Sequence, residues 1–118
     1  MARLLVEHDT LHLSLGGWEQ LGSLHADIKA PISHITKVET SKNPWRLLRG
    51  IRAPGTGLPG VIMLGTMRRK RRKDFCAIYG TGPSVVVHLK SEPFERLIIS
   101  CRESELVVRR IAAKLETD

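Results

Sequence analysis

Six consecutive basic residues, Arg68 to Lys73, form the group in this chain whose chemistry is easiest to name. The sequence has 19 basic and 12 acidic residues and a formal net charge of +7, so this run supplies almost all of the excess positive charge. Clustered guanidinium and ammonium groups attract phosphate and carboxylate groups. The candidate anion-binding residues are therefore Arg68, Arg69, Lys70, Arg71, Arg72 and Lys73.

No set of residues in the sequence amounts to a catalytic or metal site. Its five histidines are scattered and do not pair with each other or with carboxylates at the spacing of a metal-binding helix. Cys76 and Cys101 lack the C-x-x-C spacing of a zinc site, and two thiols in 118 residues fit a reducing compartment. We therefore expect a protein that is not an enzyme and that uses no metal and no cofactor. The histidines are His8, His12, His25, His34 and His88.

Three glycines, Gly55, Gly57 and Gly60, match the G-x-G-x-x-G pattern of dinucleotide-binding loops. That motif works because it leads into a helix whose N-terminus receives the pyrophosphate. Here Pro59 removes a backbone donor, and the segment 61–67 that follows is apolar and extended. We therefore interpret these glycines as part of a structural loop.

The elements that must position the basic run are mostly short strands. Alternating or continuous apolar stretches separated by Gly, Pro and Asp turns predict several strands of an antiparallel sheet, with the basic run as a turn between two of them. The segment 50–60, rich in Gly and Pro, is predicted to be irregular. The predicted strands cover 4–7, 11–15, 28–39 with an interruption at Pro31, 61–67, 75–79, 85–89 and 97–101.

Two segments have helical spacing. In the first, 18–25, the apolar residues Trp18, Leu21 and Leu24 or His25 recur three or four apart and predict a buried face. A brief helical turn is predicted at 43–45, with proline at its start. The second helix begins near Cys101 and is amphipathic. Its apolar stripe comprises Ser104, Val107, Val108, Ile111 and Leu115.

This order of elements predicts one domain, 1–118, and the residues around the central loop carry a family resemblance. Trp45, the segment 52–60, Gly65 with Thr66, and Asp74 with Phe75 resemble small bacterial pleckstrin-homology-like proteins. The resemblance implies a mainly β, antiparallel split barrel of about six or seven strands, capped by a C-terminal amphipathic helix. It implies a binding or scaffolding role and supplies no catalytic residues.

One departure limits what the resemblance implies about ligands. Phosphoinositide-binding members typically place basic residues on the first hairpin, whereas the turn here, 7–10, reads Glu-His-Asp-Thr and is acidic. The strongest cationic cluster lies instead on a later hairpin. Recognition of inositol phosphates is therefore not carried over.

The function expected from these observations is a non-enzymatic interaction module that binds a protein or peptide, at a sheet edge or between the barrel and the terminal helix. The alternative is peripheral binding to anionic lipid, or less favourably to nucleic acid, through the hairpin at 68–73. A turn that is basic only for solubility is the simplest explanation of the run.

No apolar stretch approaches the roughly 20 residues that span a bilayer, so we expect a cytoplasmic protein, at most peripheral to the membrane. Self-association through an open strand edge also remains open.

Overall fold

The structure is a computed structural model that describes residues 2–117, including all of their side chains except those of residues 51–54 and 117. Within this range the chain forms nine strands and two α-helices, so the expected mainly β fold with one C-terminal helix is confirmed. The strands are β1 Arg3–Glu7, β2 Thr10–Ser14, β3 Ile28–Pro31, β4 Ile35–Ser41, β5 Ile51–Leu58, β6 Ile62–Arg69, β7 Arg72–Tyr79, β8 Ser84–Leu89 and β9 Arg96–Ser100. The helices are α1 Gly17–Ser23 and α2 Ser104–Thr117, and two short 3-10 helices cover Ile32–His34 and Pro44–Leu47.

The nine strands form two sheets, with the orders β1-β2-β3 and β4-β8-β9-β7-β6-β5. Each sheet has two edge strands in the described part of the chain, so its hydrogen bonds do not close into a barrel. The predicted count of six or seven strands is too low for two reasons. The proline at the end of β3 and the 3-10 helix after it divide one predicted strand into β3 and β4, and β5 was not predicted at all.

One strand pair breaks the predicted antiparallel pattern. β9 lies between β7 and β8 and runs parallel to β7, whereas every other described pair is antiparallel. The turn at 80–83 therefore does not join neighbouring strands. Its four residues cross the roughly 9.6 Å between next-nearest strands, which leaves the central position for β9.

The strand β5 corrects the prediction of an irregular segment. It pairs with β6 as an edge strand, and its register shifts between Arg52 and Gly55. Such a bulge at an edge tolerates proline and glycine, which are disfavoured in a central strand. The glycines of the G-x-G-x-x-G pattern lie in this strand and in the turn after it, and the chain then enters β6 rather than a helix.

The six-stranded sheet has a core on each face. The larger core lies between the two sheets and under α2, and it combines side chains such as Leu11, Phe75, Val87 and Ile111. The smaller core covers the opposite face. It contains Met63, Met67, Cys76, Ile78, Val86 and Ile98, with Trp45, Leu47 and Leu48 packed over it.

The first helix forms as predicted, but its buried face is the opposite of the predicted one. The side chains of Trp18, Leu21 and Leu24 are 57%, 76% and 65% exposed, whereas Glu19 is fully buried. The Glu19 carboxylate accepts hydrogen bonds from the Gly16 backbone N–H, at 2.8 Å, and from the Tyr79 hydroxyl. These bonds satisfy the buried carboxylate and turn the apolar residues of α1 outward. Burial, together with the bond to Glu19, raises the pKa of Tyr79.

The long β6–β7 hairpin carries the basic run at its tip, as predicted. The strands pair in register from Ile62 with Tyr79 to Arg69 with Arg72, and Lys70 and Arg71 form the turn.

Within residues 2–117, no helix combines the length and the apolar character needed to cross a bilayer.

Candidate functional site

Strand alternation divides the basic run between the two faces of the hairpin. Arg69 lies opposite Arg72, and Arg68 lies opposite Lys73. Successive side chains of a strand point to opposite faces, so these two pairs face opposite ways. The Lys73 ammonium lies 4.9 Å from the centre of the Phe94 ring, on the face of the larger core. The six candidate residues therefore do not act as one patch.

The face shared by Arg69 and Arg72 also holds a buried carboxylate, Asp74, two residues further along β7. Asp74 is 1% exposed and bonds two arginines. The Arg96 Nε and Nη2 atoms lie 3.1 and 2.7 Å from its Oδ2 atom. Arg49 donates from Nε to Oδ2 at 3.0 Å and from Nη2 to Oδ1 at 3.2 Å. A carboxylate with this many charge-assisted bonds is fully compensated in a buried position.

A second carboxylate extends this network to the hairpin tip. Glu95 accepts a bond from the Arg49 Nη2 atom at 2.9 Å and pairs with the Arg72 Nε atom at 3.4 Å. Arg96 also donates to the backbone carbonyl of Leu47 at 2.6 Å, which ties the segment carrying Arg49 to the sheet. The hydrogen bonds to Asp74, and then those to Glu95, raise the pKa of Arg49.

Gly50 allows Arg49 to reach this position. Its φ angle is +85°, and a Cβ atom added there would lie 2.0 Å from the carbonyl oxygen of Arg68. Only glycine accepts both the left-handed conformation and so close an approach of two backbones. The segment after the Pro44–Leu47 helix can therefore pass against β6 and lay Arg49 over Asp74.

These residues surround an open cavity of about 490 Å³ at the hairpin tip, the cationic pocket. Six cations and two carboxylates lie in the pocket and the network beneath it, a surplus of four positive charges. Converging guanidinium groups of this kind bind phosphate or carboxylate oxygens. The pocket is lined by Arg49, Arg69, Lys70, Arg71 and Arg72.

The pocket differs from the predicted site at three positions. Arg68 and Lys73 do not line it, because they point to the other face, and Arg49 does. Arg49 is 25 residues from Asp74 in the sequence, and nothing in its neighbourhood signals the contact. The φ values of its flanking glycine and of Lys70, +85° and +55°, likewise appear only in the folded chain.

A second candidate site lies between β1 and α2, and we call it the β1–α2 groove. Two cavities of about 280 and 500 Å³ adjoin there, and both are lined by Leu4, Leu5, Val107 and Arg110. The first cavity also includes Ile111 and Lys114, and the second includes Cys101. The groove therefore has apolar walls and a largely cationic rim.

The backbone of β1 forms one side of this groove. β1 pairs only with β2 in the described part of the chain, so its other edge is open. In a hairpin with a two-residue turn the flanking residues, here Glu7 and Thr10, exchange hydrogen bonds. Counting back from that pair, Leu4 and Val6 direct their backbone N–H and C=O groups outward, toward the groove.

The histidines do not assemble a site. His34 bonds Glu92, and the His88 ring lies 3.6 Å from a Glu39 oxygen. The His25 ring packs edge-on against Phe94. His8 and His12 lie in the first hairpin, exposed and half-buried respectively. No group of three or more metal-ligating side chains occurs among the described residues.

Comparison with known proteins finds no relative of this chain. The chain matches no protein-family model, no curated protein and no solved structure. Proposals about its function therefore rest on the cationic pocket and the β1–α2 groove themselves.

Proposed function

We propose that this protein is a non-enzymatic interaction module that binds an extended peptide segment of a protein partner along β1. The observation that carries the proposal is the open backbone edge of β1 beside apolar cavities. An added strand would pair with the outward N–H and C=O groups of Leu4 and Val6. Main-chain hydrogen bonds supply the affinity in this mode of recognition, and side-chain pockets supply the specificity.

The dimensions of the groove define the peptide. β1 has five residues, so at about 3.3 Å per residue it offers roughly 16 Å of pairing edge, enough for a segment of about five residues. Side chains on one face of that segment would lie against Val107 and Ile111, and one on the other face would lie beside Leu5. These positions favour aliphatic residues. The basic residues Arg3, Arg110 and Lys114 around the groove favour acidic residues at the remaining positions.

A pleckstrin-homology-like fold remains part of this proposal. Two features support it, the packing of two sheets around a shared core and the amphipathic helix α2 over that core. The nine strands and the parallel β7–β9 pair depart from the simple antiparallel barrel that the resemblance implies.

The alternative, attachment of the hairpin at 68–73 to anionic lipid or nucleic acid, has less support. The exposed apolar residues near α1 and the β5–β6 turn, such as Trp18 and Val61, lie at the opposite end of β6 from Arg69. The two ends of β6, Ile62 and Arg69, are seven residue steps and about 23 Å apart, so one membrane surface does not readily use both. For single-stranded nucleic acid, the pocket lining offers no aromatic ring on which bases stack.

The test is a selection of extended peptides from a random display library, followed by affinity measurement against two matched variants. Leu5→Arg places a charged side chain in the groove, whereas Leu58→Arg changes an exposed leucine at the end of β5. We expect the selected peptides to lose at least about tenfold in affinity for L5R, which corresponds to roughly 1.4 kcal/mol, and to bind L58R like the wild type.

Hydrogen exchange supplies the second readout. Peptide binding should slow exchange of the Leu4 and Val6 amides and leave the β6–β7 turn unchanged. Selected peptides that bind L5R and L58R equally, or that protect other amides, would overturn the proposal.

A further inference from the structure

We propose that the cationic pocket binds a compact ligand carrying two or three linked phosphate groups, such as the polyphosphate of a nucleotide or a multiply phosphorylated lipid headgroup. This second site is separate from the β1–α2 groove and goes beyond peptide binding. Arg49 lines this pocket, whereas Arg68 and Lys73 of the basic run do not.

Like charges crowd the wall of the cationic pocket. Arg69, Lys70 and Arg71 are consecutive, all three line the pocket, and none has an ion-pair partner among the described residues. Cations held this close repel one another, and the repulsion is relieved when a polyanion enters. A single negative charge would leave most of the surplus uncompensated.

The floor of the cationic pocket is preorganised by Arg49. Arg49 uses its Nε–H and both Nη2–H groups on Asp74 and Glu95. A guanidinium has five N–H groups, so the two on Nη1 remain for a ligand. Because Asp74 is buried and also held by Arg96, the Arg49 fork is fixed before the ligand arrives, which lowers the entropic cost of binding.

The shape of the cationic pocket favours a compact ligand. The cations converge on one volume of about 490 Å³, within the range of small-ligand sites. A nucleic-acid backbone is typically tracked by a stripe of cations along a surface. Here strand alternation turns Arg68 and Lys73 away from the pocket and interrupts such a stripe.

The experiment is calorimetric titration with inorganic tripolyphosphate at physiological ionic strength. Arg69→Gln with Arg71→Gln removes two charges from the pocket, and Arg68→Gln with Lys73→Gln removes two charges from the same run outside it. Each charge-assisted bond to phosphate is worth about tenfold in affinity, so we expect about a hundredfold loss in the first variant. The second variant should lose less than about threefold, the residue of long-range attraction.

Lys70→Asn provides a variant that keeps the turn, since asparagine tolerates the +55° φ angle of this position. It should fold like the wild type and lose about tenfold. Equal losses in the two double variants, or no binding by the wild type, would overturn the proposal. Competition by an oligonucleotide lacking terminal phosphates as strongly as by tripolyphosphate would also overturn it, in favour of nucleic acid.

Two further arms distinguish the sources of the phosphate. Phosphatidylcholine vesicles that contain phosphatidylinositol bisphosphate should sediment the protein if the ligand is a headgroup, whereas adenosine triphosphate should bind and no vesicles should sediment it if the ligand is soluble. Either result supports the pocket. The display-selected peptides should bind all of these variants unchanged, so failure of this inference and failure of the peptide proposal are distinguishable.

Discussion

The cationic pocket and the β1–α2 groove are built by opposite means. The pocket gathers charges that repel one another and is held by the buried carboxylate of Asp74, whereas the groove has apolar walls held by packing in the larger core. The pocket presents side-chain donors on a tight turn, and the groove presents backbone groups of an edge strand. The stability of the two candidate surfaces therefore depends on separate residues.

The largest expected effect concerns the support of the pocket. Asp74→Ala leaves the Arg96 guanidinium buried without its carboxylate, and removal of one partner from a buried pair costs about 3–5 kcal/mol. Urea denaturation should show this loss in the free energy of unfolding. At urea concentrations where the variant is folded, tripolyphosphate binding should weaken because Arg49 loses its anchor, while peptide binding persists.

Glu95→Ala is the control for that comparison. Glu95 is 37% exposed, and an exposed ion pair contributes at most about 1 kcal/mol. If Asp74→Ala and Glu95→Ala destabilise the protein equally, the buried carboxylate does not organise the pocket.

Ile111 allows the corresponding test on the β1–α2 groove. Ile111→Ala opens a cavity beneath α2 at a side chain that is 2% exposed, and it should lower the free energy of unfolding by about 3 kcal/mol. Leu106→Ala, on the same helix but 37% exposed, should cost less than about 1 kcal/mol. Ile111→Ala should weaken binding of the selected peptides and leave the affinity for tripolyphosphate unchanged. A parallel loss at both sites would mean that they are coupled.

The smallest expected effect concerns the two thiols. Cys76 lies near the cationic pocket, two residues from Asp74 on β7, and Cys101 lines the β1–α2 groove. Burial raises the pKa of the Cys76 thiol to about 12, from an ordinary value of 9.0. The folded protein therefore retains this proton at pH values where the unfolded chain loses it. The stability contribution is complete below pH 9 and is lost as the pH rises toward 12, by about 1 kcal/mol per pH unit.

Denaturation at pH 8 and pH 10 should therefore show a steeper loss for the wild type than for Cys76→Ala. Burial and the bond to Glu19 raise the pKa of Tyr79 as well, so the variant retains part of the decline. At neutral pH a thiol reagent should modify half-buried Cys101, which lines the groove, before fully buried Cys76. Bound peptide should slow the reaction of Cys101; rapid labelling of Cys76 in the folded protein would contradict its burial.

The sequence predicts the hairpin tip well, because apolar strand patterns flank the basic run on both sides. It does not predict which of the six cations share a cavity, since that depends on register. Arg49 is not predicted either, because its contact with Asp74 depends on a segment that folds back over the sheet.

Tertiary contacts override the local sequence pattern in two further places, the buried face of α1 and the strand β5. The burial of Glu19 depends on Tyr79, 60 residues away, and no spacing within α1 signals it. The strand β5 was missed because its composition, Pro54 with Gly55 and Gly57, favours a loop, whereas pairing at a sheet edge accommodates a bulge.

The position of β9 sets an order of events during synthesis. In the larger sheet, β4-β8 and β7-β6-β5 meet through β9, which leaves the ribosome after the other eight described strands. Until residues 96–100 emerge, the facing edges of β7 and β8 lack their partner, and both strands are rich in apolar residues. Exposed edges of this kind are sites of aggregation. We therefore expect a nascent chain stalled before β9 to aggregate more readily than the folded protein and to benefit from a chaperone.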